Sequence, residues 1–117
     1  MTQSYISSKQ VLAWEQEQNG QPGYAVKYED GYTSWCPKEA FEKANVPIGH
    51  VDHLPAFHQR MIGEAAQLAD RLLKLNDFVG TDTYEAMEDE DKRLLLTQAL
   101  NMALYLRTLT DRIERIA

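Results

Sequence analysis

The chain has 117 residues, 44% of them hydrophobic, and a net charge of −6. That is enough for one domain, or a small module joined to a helical hairpin, and too acidic to hold long DNA or RNA through an overall basic surface. No apolar run approaches the roughly 20 residues that span a bilayer, Met1-Thr2-Gln3-Ser4 lacks the regions of a signal peptide, and the lone Cys36 allows no intramolecular disulfide and fits a reducing cytosol.

In chain order, residues 8–17 read as a strand, and Asn19-Gly20-Gln21-Pro22-Gly23 as a turn or loop. The strongest β signal follows. Tyr24 to Glu29 and Tyr32 to Cys36 flank Asp30-Gly31, a dipeptide favoured in two-residue type I′ turns. Pairing Glu29 with Tyr32 places Val26 opposite Trp35 and Tyr28 opposite Thr33. Tyr24, Val26, Tyr28, Thr33 and Trp35 then share the expected buried face, and Lys27, Glu29, Tyr32 and Ser34 share the other. Pro37 suits the first position of a short helix, residues 38–44, with Ala40, Phe41 and Ala44 on one side.

Residues 54–117 read as two helices folded back on each other. In the first, Leu54, Phe57, Met61, Ala65, Leu68, Leu72, Leu75 and Val79 are spaced three and four apart. In the second, Leu95, Ala99, Met102, Leu106, Leu109, Ile113 and Ile116 continue the pattern of a packed seam. Pro55 opens the first helix, Gly80 is expected at C′, and residues 81–86 form a short helical turn. Glu88-Asp89-Glu90-Asp91 at the start of the last helix, and Arg112 and Arg115 at its end, complement the helix dipole. The expected fold is α+β: a small antiparallel β-sheet with a short helix over 1–46, a connector over 47–53, and a long antiparallel helical hairpin over 54–117. A second apolar strip on the last helix (Leu96, Leu100, Ala103, Leu104) cannot be buried by one partner helix. Either the β module covers it or the chain is homo-oligomeric, and both can hold.

Enzyme signatures are sparse. There is no glycine-rich phosphate loop, nucleophile elbow or Cys-x-x-Cys, and His50, Asp52, His53 and His58 match no defined zinc spacing. No catalysis, metal or cofactor is expected. All six arginines (Arg60, Arg71, Arg93, Arg107, Arg112, Arg115) lie in the hairpin, where each is either a phosphate contact or a surface charge paired with a neighbouring carboxylate. Gln59, Arg60, Glu64, Gln67, Arg71, Lys74 and Asp77 fall on the face away from the first seam. Fifteen residues separate Gln59 from Lys74, roughly 22 Å of helix. If both touch one small ligand, the site is assembled from more than one chain.

Residues 54–116 resemble the helical hairpin shared by phage anti-defence sponges that counter the CBASS and Thoeris systems. The resemblance is carried by His58-Gln59-Arg60-Met61, Glu64, Leu68, Lys74-Leu75-Asn76, Phe78, Leu94-Leu95-Leu96, Met102, Tyr105, Leu109 and Arg112-Ile113. Tyr24 to Glu39 looks like a small β module common in phage proteins, and a β-containing N-terminus is similar to the Thoeris-countering branch. The resemblance implies a non-enzymatic homo-oligomer, commonly a hexamer, in the cytoplasm of an infected bacterium. It would sequester cyclic nucleotide second messengers: cyclic ADP-ribose isomers or cyclic di- and trinucleotides. Carried over by residue, it implies that Lys74 contacts phosphate and Asn76 the ligand beside it. Gln59 stands where an aromatic residue or glutamine is frequent, and Asn76 where threonine is. The chemistry of such a ligand adds Arg60, Arg107 and Arg112 as phosphate donors, and Phe78, Tyr105, Tyr28 and Trp35 (with Tyr84 further) as stacking platforms. For Phe78, Trp35 and Tyr28 plain core packing is the competing reading. Two other functions stay open: a phage adaptor whose hairpin docks on a host protein, and a small metal-dependent hydrolase using His50 and His53.

Overall fold

The computed structural model describes residues 2–116, which fall in two compact units, Met1–Asn45 and Val46–Ala117. The first unit holds three strands, β1 (Leu12–Glu15), β2 (Gly23–Lys27) and β3 (Thr33–Pro37), and a helix α1 (Lys38–Ala44). The strands form one antiparallel sheet in the order β1-β2-β3. The second holds α2 (Ala56–Val79), a single turn α3 (Asp82–Glu85) and α4 (Asp89–Glu114). The architecture is α+β, as the residue pattern predicts.

The two turns of the sheet exchange the roles expected of them. Asn19 and Gly20, with φ of 52° and 78°, form the two-residue turn. The two residues flanking it, Gln18 and Gln21, each donate an N–H to the other's carbonyl at 2.9 Å. Positive φ at both central positions is what a type I′ turn requires, and Asn-Gly is the pair that supplies it at least cost. At the second turn, Gly31 N–H donates to the Tyr28 carbonyl, and Tyr28 N–H to the Tyr32 carbonyl, both at 2.9 Å. Gly31 has φ 89°, and the Asp30 carboxylate accepts from the Tyr32 N–H at 2.9 Å. This is a three-residue loop, a turn followed by a left-handed glycine, in place of the two-residue turn expected there.

One extra loop residue shifts the register by one and exchanges the faces. Val26 pairs with Ser34 and Ala25 with Trp35. Trp35 therefore lies on the face opposite to Val26, correcting the expected buried set. Tyr24 and Val26 share the face served by α1. The Tyr24 ring stacks on Phe41 with centroids 4.3 Å apart, and its hydroxyl donates to Glu42 Oε2 at 2.8 Å. On the other face Trp14, Ala25 and Trp35 lie abreast across the three strands. The Trp35 Nε1–H reaches the Gln16 carbonyl at 2.7 Å. Pro37 sits one place earlier than expected, at the N-cap of α1.

In the second unit α2 and α4 pack through the predicted seam. Met61, Ala65, Leu68 and Leu109 are buried, with Met102, Leu106, Ile113 and Ile116 packed against them. Phe57 is the exception, 58% exposed with its ring edge-on to His58 at 4.2 Å. Gly80 is also corrected. Its φ of −85° is not left-handed, and its N–H folds back onto the Asp77 carbonyl, a tightened last turn. The Thr81 hydroxyl then caps α3 by accepting from Tyr84 N–H. Acidic residues in the first turn of α4 and Arg112 in its last follow the dipole rule. Leu96, Leu100 and Leu104 of the second strip are exposed, Leu100 by 60%.

Candidate functional site

The hairpin is a ruler on which the candidate residues can be placed. Its reference mark is the Tyr105 hydroxyl, which donates to Glu64 Oε2 at 2.5 Å and ties α4 to α2. Gln59 lies five residues before Glu64, and Arg112 seven after Tyr105. In helices running opposite ways both displacements point the same way, roughly 7.5 and 10.5 Å. Gln59, Arg60 and Arg112 therefore share one level. Lys74 and Asn76 lie ten and twelve residues the other way from Glu64, roughly 15 and 18 Å. Phe78 lies farther still, edge-on to the buried Tyr84 at 6.3 Å.

The local bonds of these residues separate ready donors from committed ones. Gln59, expected on the open face, is half-buried, and its Nε2 donates to the Leu54 carbonyl at 2.8 Å. That bond satisfies a carbonyl where the chain enters α2, so the amide is partly committed to the fold. Arg60, Asn76, Arg107 and Arg112 are exposed. Lys74 is held by Asp70 one turn earlier at 2.9 Å. Exposed pairs of this kind are weak, so an incoming phosphate can displace the carboxylate. Arg107 continues the strip Leu96-Leu100-Ala103 at helical spacing, and is thus on a different flank from Tyr105.

Tyr28 and Trp35 belong to the first unit. The Tyr28 ring lies 6.1 Å from Tyr32, with Lys9 Nζ 5.5 Å from its centroid, a cation–π arrangement. Trp35 is half-buried and bound to the Gln16 carbonyl. Among the described residues no group of three or more His, Cys, Asp or Glu is placed to hold a metal ion, so His50, Asp52, His53 and His58 do not converge. Nor, among those residues, is any helix long and apolar enough to cross a membrane.

Reading by residue type missed the groove beside the Tyr105–Glu64 tie. Leu68, Leu94, Thr97, Gln98, Asn101, Met102 and Tyr105 line an open hollow of 460 Å³. Gln98 and Asn101 lie one turn apart beside the seam residue Met102, and that adjacency was the only available signal.

Tyr105 itself is electrostatically marked. The hydrogen bond to Glu64, then burial, then the Glu64 charge hold its phenol above the ordinary 10.0, while Arg112 pulls it down. A raised pKa means that the folded state binds the proton more tightly. The tie therefore contributes stability below pH 10.0, lost as pH climbs through the raised value. Glu64→Ala is expected to lower the Tyr105 titration midpoint. Phenolate absorbance, taken as the difference between each protein and its Tyr105→Phe counterpart, would report it; an unmoved midpoint would mean the tie is absent in solution.

The family profile described as Sequestin matches residues 55–115, a little over half of the chain and the whole of α2 through α4. The chain belongs to the Sequestin family. No curated relative and no solved structure matches it. The Sequestin segment contains the Gln59–Arg60–Arg112 level, the Lys74–Asn76 level and the groove, but not Tyr28 or Trp35. The family's name fits a protein that holds a ligand back.

Proposed function

We propose that this chain is a phage anti-defence sponge. It binds cyclic nucleotide immune signals in the cytoplasm of the infected bacterium and keeps them from their effectors without degrading them. The observation that carries the reading is the Sequestin match over the hairpin, the segment that bears all six arginines and Lys74. Sequestration needs no reaction. Protein in excess of the signal, binding it tightly, lowers the free signal below what the effector requires.

The geometry supports assembly as part of the mechanism. The Lys74 level and the Arg112 level are roughly 25 Å apart along the hairpin, too far for both to grip one small anion from the same chain. The exposed leucines of α4 give a second copy an apolar surface to cover. In an assembled oligomer, dimer-based and expected to reach a hexamer, cations from different copies meet on one ligand. Arg60, Lys74 and Arg112 take phosphate oxygens, Asn76 adds a polar contact, and Tyr105 or Phe78 offers a ring face.

Native mass spectrometry with a panel of cyclic ADP-ribose isomers and cyclic di- and trinucleotides tests this directly. The expected spectrum is an oligomer carrying ligand that is recovered at unchanged mass after heating. Lys74→Ala is expected to weaken binding about 10- to 100-fold, the loss of a charge-assisted phosphate contact. A degraded ligand would turn the assignment toward a hydrolase. A monomer whose melting temperature no ligand raises would turn it toward an adaptor, because a ligand that binds only the folded state must stabilise it.

A further inference from the structure

The hollow beside Tyr105 has no charged side chain in its lining. Its lining is mostly apolar, from Leu68, Leu94 and Met102, with the uncharged Thr97, Gln98 and Asn101 bordering it; the Thr97 hydroxyl is already bound to the Arg93 carbonyl. At 460 Å³ it falls within the range of small-molecule sites. A phosphate placed there would find no cation on the walls. A purely aliphatic group would strip water from two amides and give them nothing in return. A flat heteroaromatic ring satisfies both parts, with its π face on the apolar lining and its edge toward the amides.

Side-chain amides are suited to a base edge because each offers a donor and an acceptor side by side. Asn or Gln can read the N6 and N7 edge of adenine through two parallel hydrogen bonds. Asn101 is exposed, and among the described residues its amide has no hydrogen-bond partner. The Gln98 Nε2 rests only on Met102 Sδ at 3.7 Å, a weak acceptor that a ring nitrogen would replace. The Tyr105 hydroxyl is already bound to Glu64, so this wall is held in place before a ligand arrives.

We infer that this groove is a nucleobase pocket that takes an adenine ring, reading its edge with Gln98 and Asn101. The inference deepens the sponge reading and rests on it for the physiological ligand. It divides the labour on the hairpin: cations hold phosphate, and the uncharged groove selects the base.

The test uses the full chain and adenosine, a probe with the base and no phosphate. Adenosine titrated into isotope-labelled protein is expected to shift the side-chain amide signals of Gln98 and Asn101, and uridine to shift them far less. Gln98→Ala combined with Asn101→Ala is expected to weaken adenosine binding about 10-fold or more; both positions are exposed helix sites where alanine favours the helix. Thr97→Phe, which fills the hollow, should do the same by exclusion. Adenosine shifts confined to other residues, no adenosine shifts at all, or a double variant that binds as the parent does, would overturn the pocket. Adenosine binding at Gln98 and Asn101 in a protein that ignores every cyclic nucleotide would keep the pocket and remove the sponge.

Discussion

Leu109→Ala is expected to cost about 3 kcal/mol, within the 2–5 kcal/mol typical of buried leucine truncations. Leu109 is 1% exposed and sits in the α2–α4 seam with Met61, Ala65 and Leu68, Leu106 and Ile113 packed alongside. Truncation removes transfer energy and leaves a void. The half-buried neighbours can partly close it, which holds the cost to the lower part of the range. Against the roughly 5–15 kcal/mol that holds a small domain together, this is a large fraction. Urea unfolding followed by far-ultraviolet dichroism measures it, and a loss under about 0.5 kcal/mol would place the seam elsewhere. Leu100→Ala is the informative control. Leu100 is 60% exposed in the single chain, so its truncation costs little in a monomer. If copies bury it, the cost emerges and depends on protein concentration.

Gly23→Ala is expected to cost about 1–3 kcal/mol from overpacking. A Cβ built on Gly23 lies 2.5 Å from the Cys36 carbonyl oxygen and from Cε2 of Trp35, and closer still to Cζ2. The carbonyl belongs to the neighbouring strand and cannot swing aside, so the sheet must widen there. The indole must move as well, which endangers its bond to the Gln16 carbonyl. Loss of that bond adds about 0.5–1.5 kcal/mol. Both tryptophans of the chain, Trp14 and Trp35, lie in this sheet. Their fluorescence therefore reads the first unit, while the helical dichroism is dominated by α2 and α4. An unshifted fluorescence transition in Gly23→Ala would mean that Trp35 does not lie over Gly23.

These two positions differ in how visible they were in the residues themselves. Leu109 could be found because a helix repeats every 3.6 residues, and the spacing of seven apolar side chains names the buried face without any knowledge of the partner. Gly23 could not. It reads as one more loop glycine in a stretch with Asn19, Gly20 and Pro22, and its role depends on an indole that sits twelve residues away.

The site divides in the same way. Lys74, Arg60 and Arg112 were legible as charges on a polar helix face, because chemistry is carried by residue type. Their separation along the hairpin follows from the rise per residue and from the Tyr105–Glu64 tie. The groove was not legible. It exists only where α4 lies beside Leu68, and neither Gln98 nor Asn101 is unusual on a helix surface.

The amino-acid order by itself determined the elements, the helical seam and the concentration of cations in the hairpin, since each rests on local periodicity and composition. The tertiary structure alone decided the strand register and the side on which Trp35 lies. Asp30-Gly31 can close either a two- or a three-residue loop, and only the fit of Trp35 over Gly23, with Val26 beneath α1, distinguishes them. It also decided which polar residues converge. Convergence depends on the level at which one helix meets another, and that level is set by packing rather than by any residue acting alone.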